Sequence, residues 1–595
     1  MRSKRRAAAT GGLLLCLRVG CASATTLGLA RCTAGDPGRP AAKHGPSEEL
    51  SPDAHARSVQ HDATPPRDAT RDANLAPHDA NSLDTRAEDG PHAHDAGGDA
   101  PDDGSRDGAD APSTTTLAVS LTLVPTFSAD IHDYYVRCAA GGSSVTVTMT
   151  AAPGSVIGLT QPIVTAAARA STITVEVDEG AAIVAVVTPQ GAVDAGSAAD
   201  GGDGGPDEYW VRCLPNDFAG LDMIVHPDAG AVVPGYYLVG NIFSIAPVVG
   251  GYAMALDVHG VPVWYSKTVS GVEPVDVESL IPGTISFNPY IEETFSSVAD
   301  GAFEIHDLAS SVTTFASTVS YPLDPHELRV LPDGDYVMIA APVLTGVDLT
   351  GLERFGENEY VEGCVVQEVD PTAGTGRAVW EWNAMDHLDP VIDSTYPVVN
   401  AVDGKAVIAV FHCNSVDVLP GGDLLVSLRN MDSVVRVSRA TGAVLWKMGG
   451  SAYTVDGAPY IRVANDPMTS FYRQHDVRML PDGTISMFDD RTGATGGARA
   501  VIYGVDLATE TATVVWQYAG GQASEGMGGF RVLPDGSRTI CWGIGAPGLA
   551  FTEVDEDGND LLDLHFTDSE WTYRAVKIPT SAIDIRTLRT ATGAP

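Results

Sequence analysis

Helix is what this sequence most lacks. Apolar residues spaced every three or four positions are almost absent, whereas short alternating segments recur from residue 115 onward. That pattern excludes a helical bundle or a βα repeat and points to an all-β chain. After the first residues, no stretch is long and apolar enough to cross a bilayer as a helix. Positive charge is also scarce: 36 Lys and Arg stand against 77 Asp and Glu, a net charge of −41. Nucleic acid is therefore excluded as a partner, because neutralising phosphates needs a basic surface. The eight cysteines contain no CxxC spacing, which argues against a structural zinc site. Cys138 and Cys213 close twin phrases, DYYVRC and EYWVRC, and a disulfide is compatible with export. The sequence leaves the pairing of Cys364, Cys413 and Cys541 open.

What is present falls into five segments. Residues 1–32 begin MRSKRRAAATGGLLLCLRVGCASA: a basic start, a short apolar run, then small residues. This reads as an export signal, implying periplasm or cell envelope. The Gly20-Cys21-Ala22-Ser23 phrase is similar to a bacterial lipobox, making a lipidated Cys21 the candidate membrane attachment, although Arg18 stands where an aliphatic residue is usual. Residues 33–114 are Asp-, Ala- and Pro-rich with few aromatic or β-branched residues. Such a segment cannot offset its ordering entropy by burial and reads as a disordered tether. Residues 115–190 alternate as a small β-sandwich (SLTLVPTF, SSVTVTMTA, STITVEVDE, AAIVAVVTP). A Gly/Asp linker follows at 191–207, and residues 208–595 form a repeat array.

The array repeats two phrases. One is a strand, a turn at Leu-Pro-Asp-Gly or Leu-Pro-Gly-Gly, and a returning strand: HELRVLPDGDYVMIA, NSVDVLPGGDLLVSL, HDVRMLPDGTISMF and GGFRVLPDGSRTICWG, with a degraded copy, DVESLIPGTISF. The other is a hydrophobic strand, an Asp-containing turn and a strand ending in Trp, as in VVRVSRATGAVLWKMGG. Two hairpins per unit make four strands, and irregularly spaced four-stranded units describe a β-propeller, six-bladed by the count of phrases.

Counting back five residues from each turn gives Asp276, His326, Asn414, His475 and Gly528. In a propeller, equivalent positions lie at one depth around the channel, so His326, Asn414 and His475 fall on a common arc. His412 lies two residues before Asn414 and faces the same side of its strand. Hairpin pairing across the Leu419–Gly422 turn brings Arg429 opposite His412. Three His, one Asn and one Arg thus converge on one pocket. Arg is a planar fork of donors suited to oxyanions, and neutral imidazole serves as nucleophile or proton carrier near pH 7. No carboxylate pair and no serine elbow stands beside them, so transfer of an anionic group through histidine fits better than hydrolysis through serine. The bland reading of each residue alone, a surface histidine or a turn-capping Asn, is outweighed by the shared register. His387, in WEWNAMDHLDP, falls outside that register in an insertion between strands.

The phrases DPHELRVLPDGDY, WEWNAMDHLDP, FHCNSVDVLPGGDLLVSLRN, VLWKMGG and QHDVRMLPDGTISMFDD resemble those of bacterial arylsulfotransferases over residues 208–580. The resemblance implies a six-bladed propeller that moves a sulfuryl group from an aryl sulfate to a phenol. It implies no cofactor and no metal, and a ping-pong route through a sulfohistidine. Aryl sulfates and phenols would be the small-molecule partners. Carried over residue by residue, the nucleophile matches His475. Catalytic and sulfate-holding residues match His412, Asn414 and Arg429, and a further catalytic His matches His326. Ser524 and Arg491 are additional positions the motifs do not place.

Two other readings compete. TGRAVW and TGAVLW resemble the blade-docking motif of quinone-dependent dehydrogenase propellers, but the calcium-binding carboxylates of that class are not found. A non-catalytic surface propeller binding glycans or protein partners shares the fold, and fold alone does not exclude it.

Overall fold

A computed structural model describes residues 114–190, 207–242, 249–291, 296–297, 302–372, 376–402, 404–452 and 456–592. The expected export signal, nearly all of the tether and the linker up to residue 206 lie outside the described residues. The regular elements of the described part are nearly all strands, with one α-helix, Ile585–Ala591, near its end. Among the described residues no helix is long and apolar enough to cross a membrane.

The sandwich packs a three-stranded sheet (Thr116–Val119, Ser143–Thr150, Ala170–Val177) on a four-stranded one (Asp133–Arg137, Asp207–Leu214, Ala182–Pro189, Ser155–Gln161). In Ser143–Thr150 the inward residues Val145, Val147 and Met149 are fully buried while threonines alternate outward, as a half-buried strand requires. The domain boundary differs from the expected one. The strand Asp207–Leu214, assigned from sequence to the repeat array at 208–595, belongs to the sandwich. It pairs in parallel with Asp133–Arg137, matching Tyr134 to Val211 and Val136 to Cys213, and antiparallel with Ala182–Pro189. It is covered on both faces: Tyr209, Val211 and Cys213 enter the sandwich core, Leu214 enters a propeller core, and Arg212 is buried between them. Cys138 and Cys213 form a disulfide with Cα atoms 5.5 Å apart.

From Leu221 the pairing resolves into successive four-stranded antiparallel sheets of a β-propeller type fold. The first strands of five of them are Glu273–Glu278, Leu323–Val330, Cys413–Val418, His475–Met479 and Gly529–Val532. The remaining sheet takes Gly235–Gly240, Tyr252–Leu256 and Pro262–Lys267 from the early chain and is completed by Val576–Pro579 from the end. Conversely, Leu221–Val225 adds an outer strand to the last sheet, beside Asp560–Phe566. Both ends of the array are therefore held by pairing with the opposite end of the chain. An inserted sheet (Val343–Val347, Glu359–Glu362, Lys405–Ala409, Val398–Val402) leaves the third and fourth units, and Cys364, beside it, forms a disulfide with Cys413.

Register breaks at the start of the first strands position the chemistry. Ladder pairing slips between Val275 and Glu278, Leu323 and Leu328, Cys413 and Ser415, and His475 and Arg478. These breaks bracket or adjoin the positions found by counting back from the turns. A bulge turns successive side chains away from strict alternation, which is how a strand end aims a functional residue.

The 75-residue separation of Cys138 and Cys213 gives the first prediction. Replacing both by Ser frees a loop whose closure stabilises by up to about 4.5 kcal/mol on chain entropy alone. The denaturant midpoint should fall clearly, and an unchanged midpoint against the oxidised wild type would contradict a bond that staples the sandwich.

Candidate active site

Of the five residues selected from sequence, His475 opens its strand, His412 and Asn414 flank Cys413 at the start of theirs, His326 lies midway along Leu323–Val330 within a register break, and Arg429 follows Leu424–Leu428. His475 opens the strand His475–Met479 and is 2% exposed. Its Nδ1 lies 3.0 Å from the Arg473 carbonyl and 3.2 Å from Asp490 Oδ2, so the ring hydrogen belongs on Nδ1. Nε2 accepts the backbone N–H of Met527 at 3.2 Å, which identifies it as the nitrogen with the lone pair. Met527 sits between Gly526 and Gly528, and all three have positive φ. A Cβ at Gly528 would lie 2.5 Å from the Phe488 ring, so this tight approach requires glycine.

Burial, with the positive charge of Arg429 next, holds the His475 imidazole well below the ordinary histidine range. The same holds for His412, where burial is followed by the charges of His326, Arg429 and His475. His412 is held in a left-handed conformation (φ 49°), and its carbonyl accepts the Arg429 N–H at 2.9 Å, the pairing expected across the hairpin. The His326 ring meets His412 edge to face at 5.0 Å, and Tyr573 lies on its other side at 5.8 Å.

Arg429 is 7% exposed, with Nη1 donating to Asn430 Oδ1 at 3.1 Å and Nη2 to Thr492 Oγ1 at 3.3 Å. Its Nη2 is 3.5 Å from Asp490 Oδ2. Asp490, unnoticed in the sequence, is thus shared between Arg429 and His475. Neither contact is short, and burial raises its carboxyl to about 6 although Arg429 opposes the shift. Hairpin register would have revealed it: His475 pairs with Phe488, so Asp490 follows two residues on, as Asn430 follows Leu428 opposite Cys413. Two more residues escaped notice. Arg473 stacks on Tyr396 at 4.1 Å, and Tyr396 also approaches Arg429 at 5.9 Å, from the segment between the inserted strands.

Asn414 takes a different place from the one expected. It has no exposed surface, and its Nδ2 donates to the Gln474 carbonyl at 2.8 Å, bracing the peptide before His475. His387 stacks on Trp382 and pairs with Asp456 at 2.9 Å, apart from the cluster. Arg491 binds Asp489 and the carbonyls of Ser470 and Thr495. Ser524 Oγ donates to the Gly526 carbonyl at 3.1 Å, so it supports the loop that presents Met527.

Next to these residues on the same strands runs a buried ion network. Arg478 binds Glu327 at 2.7 Å, Arg531 binds Asp476 at 2.8 Å and Glu278 at 2.7 Å, and Arg574 binds Asp276. Burial opposes ionisation, yet Arg531 and Arg329 hold Glu278 down to about 2. Asp276, Glu278 and Glu327 have the spacing of a cation site. Each of them contacts Arg574, Glu278 also contacts Arg329 and Arg531, and Glu327 also contacts Arg478, so arginine already occupies the place an ion would fill. That chemistry does not fit the calcium of a quinone-dependent dehydrogenase. A crevice of about 580 Å³ between sandwich and propeller, lined by Asp130, His132, Asp257 and His259 among others, does not include the histidine cluster.

With this geometry established, comparison gives the class. Residues 300–567 match the family model described as arylsulfotransferase (ASST). That span includes His326, His412, Arg429 and His475, so the histidine cluster lies within a region of arylsulfotransferase type, which supports sulfotransfer from aryl sulfates in general terms. Among solved structures, the chain is similar to a protein of unknown function from Bacteroides caccae, at 12% identity over 58% of this chain and 99% of that one, TM-score 0.34. It is also similar to virginiamycin B lyase from Staphylococcus aureus, at 9% identity over 49% and 69%, TM-score 0.25. At these scores neither supports any functional inference. No curated protein matches the chain by sequence.

Burial of a neutral His475 has a measurable consequence. The unfolded chain binds a proton at this residue below about pH 6.5, while the folded chain does not. Stability therefore declines as pH falls below that value, by up to about 1.4 kcal/mol per unit from this group. The Asp490 carboxyl acts in the opposite sense between about 4 and about 6. His475→Gln should flatten the loss of stability between about pH 6.5 and 5 relative to wild type. An unchanged slope would contradict a histidine held neutral.

Proposed function

We propose that the chain transfers a sulfuryl group from an aryl sulfate to a phenolic acceptor in two steps through a sulfohistidine at His475. The observation that carries this reading is the state of His475: buried, neutral, with Nδ1–H held from behind and the Nε2 lone pair turned to the loop at Met527. An imidazole fixed in that tautomer is a nucleophile at neutral pH without a base to deprotonate it. Nε2 attacks sulfur, the bond from sulfur to the aryl oxygen breaks, and that oxygen leaves with the electron pair. The imidazole becomes cationic as it bonds sulfur, and Asp490 beside Nδ1 offsets that charge.

Arg429 and His412 supply the positive and dipolar surface for the sulfuryl oxygens. The donors are preorganised, because Arg429 is fixed by Asn430 and Thr492 before any substrate arrives. His326 gives a proton to the leaving phenolate and takes one from the acceptor in the second step. Asn414 contributes indirectly, by holding the Gln474 carbonyl and so the position of His475. The residues use no cofactor in this scheme.

Incubation with p-nitrophenyl sulfate and phenol tests it. Wild type should release p-nitrophenol and form phenyl sulfate, His475→Ala should abolish both, and Arg429→Ala should lower kcat/KM by about 10²–10³. Release by His475→Ala at the wild-type rate would refute the nucleophile, and no release by wild type would refute the reaction.

A further inference from the structure

The three histidines of the cluster do not share equivalent surroundings. His326 Nδ1 lies 2.6 Å from Asp324 Oδ1, and the same oxygen accepts the His326 backbone N–H at 2.9 Å. One carboxylate oxygen therefore fixes both the backbone and the ring of the residue two positions on, across Pro325, whose own φ is locked by its ring. The Tyr573 hydroxyl donates to the His326 carbonyl at 3.0 Å and pins the same residue from the far side. With Nδ1 engaged, Nε2 is the nitrogen left for the pocket, where the His326 side chain remains 17% exposed.

His412 pairs with no carboxylate among the described residues, and the Asp490 contact to His475 is longer, at 3.2 Å. Both His412 and His475 are held neutral by burial and by neighbouring positive charge, that of His326 included. The groups facing His326 are Asp324 on its own strand, His412, Tyr573, and Glu362 from the inserted strand Glu359–Glu362, with Arg429 and His475 beyond His412. Glu362 accepts from Asn400 Nδ2 at 3.1 Å. Burial, with the charge of Asp324 next, raises its carboxyl to about 7. Of the carboxyl groups around this ring, only Asp324 is hydrogen-bonded to it.

We infer that Asp324 is a positioning residue that makes His326 the one histidine carrying the transferable proton, with Nε2–H directed at the aryl oxygen. This rests on the sulfotransfer reading above and adds an unequal division of labour among the three imidazoles. In the first half-reaction the His475 Nε2–S bond forms as the bond from sulfur to the aryl oxygen breaks. The proton on His326 Nε2 passes to that oxygen, leaving a phenol and a neutral His326 whose Nδ1–H still points at Asp324. In the second half-reaction the acceptor phenol gives its proton to His326 Nε2 while its oxygen bonds sulfur and the N–S bond breaks. The starting state is restored.

Proton donation matters only when the leaving phenolate is a poor one, and that separates positioning from general support of the fold. Asp324→Asn should lower kcat/KM for phenyl sulfate by about 10² or more. For 2,4-dinitrophenyl sulfate, whose phenolate leaves unaided, the loss should be at least tenfold smaller. His326→Ala should show the same dependence on leaving group, and the double variant should lose no more than His326→Ala. Equal losses with both donors would overturn the inference. ¹⁵N NMR of the histidine rings in the wild-type protein reads the same assignment without turnover. Of the three rings His326 should be the first to take a second proton, with His412 and His475 keeping the neutral pattern; protonation of His412 or His475 ahead of His326 would overturn it. Absence of p-nitrophenol release by wild type would refute the sulfotransfer reading alone, and the NMR result would still decide where the proton sits.

Discussion

Four buried carboxylates against four arginines, Arg478 and Arg574 buried and Arg329 and Arg531 half-buried, hold the centre of this propeller together. Asp276 and Glu278 come from one first strand, Glu327 and Arg329 from the next, and Asp476 and Arg478 from another. Arg531 comes from Gly529–Val532 and Arg574 from the segment just before Val576–Pro579. The remaining first strand, Cys413–Val418, joins through the Val416 carbonyl, which accepts from Arg478 at 2.9 Å. The network is not a large source of stability: a buried ion pair gains little net energy over an apolar replacement, whereas removing one partner costs about 3–5 kcal/mol. What it provides is registry, since each arginine reaches carboxylates on different strands and a strand that slipped would strand a charge.

That registry is what the chemistry uses. His475 is followed by Asp476 and His326 by Glu327, one residue of each pair facing the pocket and the next locked in the network. Because the ladder breaks beside these residues, adjacent side chains diverge at the point where pocket and network separate. His475 is therefore set by a rigid ionic scaffold on one side and by Arg473, Asp490 and the Met527 loop on the other. A histidine so confined loses little freedom on reaction and stays neutral by burial.

Much of this was legible in the chain. The Leu-Pro-Asp-Gly phrase marked where hairpins turn, counting back from it placed His326 and His475 at register breaks of their first strands, and pairing across the Leu419–Gly422 turn put Arg429 against His412. The family resemblance through FHCNSVDVLPGGDLLVSLRN and QHDVRMLPDGTISMFDD agrees with the match over residues 300–567. What escaped has physical reasons. Asp490 and Asp324 act as partners of histidines, and a carboxylate at a strand end reads like any turn residue until its neighbour across the hairpin is known. Asn414 shares the register, yet it serves a backbone carbonyl, because the bulge at Cys413/Ser415 turns it away from alternation. The Cys364–Cys413 bond joins an insertion to a first strand, a contact no spacing encodes. The strand Asp207–Leu214 was assigned to the propeller because it follows the linker. Its twin phrase with Asp133–Arg137 was the available signal that it pairs with the sandwich instead.

The central claim is that His475 accepts the sulfuryl group. The most direct measurement is mass spectrometry of the protein quenched at alkaline pH, where a sulfamate-type N–S bond survives, after mixing with an aryl sulfate and no acceptor. The account predicts one added SO₃ on the peptide bearing His475, lost when phenol is added and absent from His475→Ala. Release of the donor phenol with the SO₃ on another residue, or on none, would contradict it.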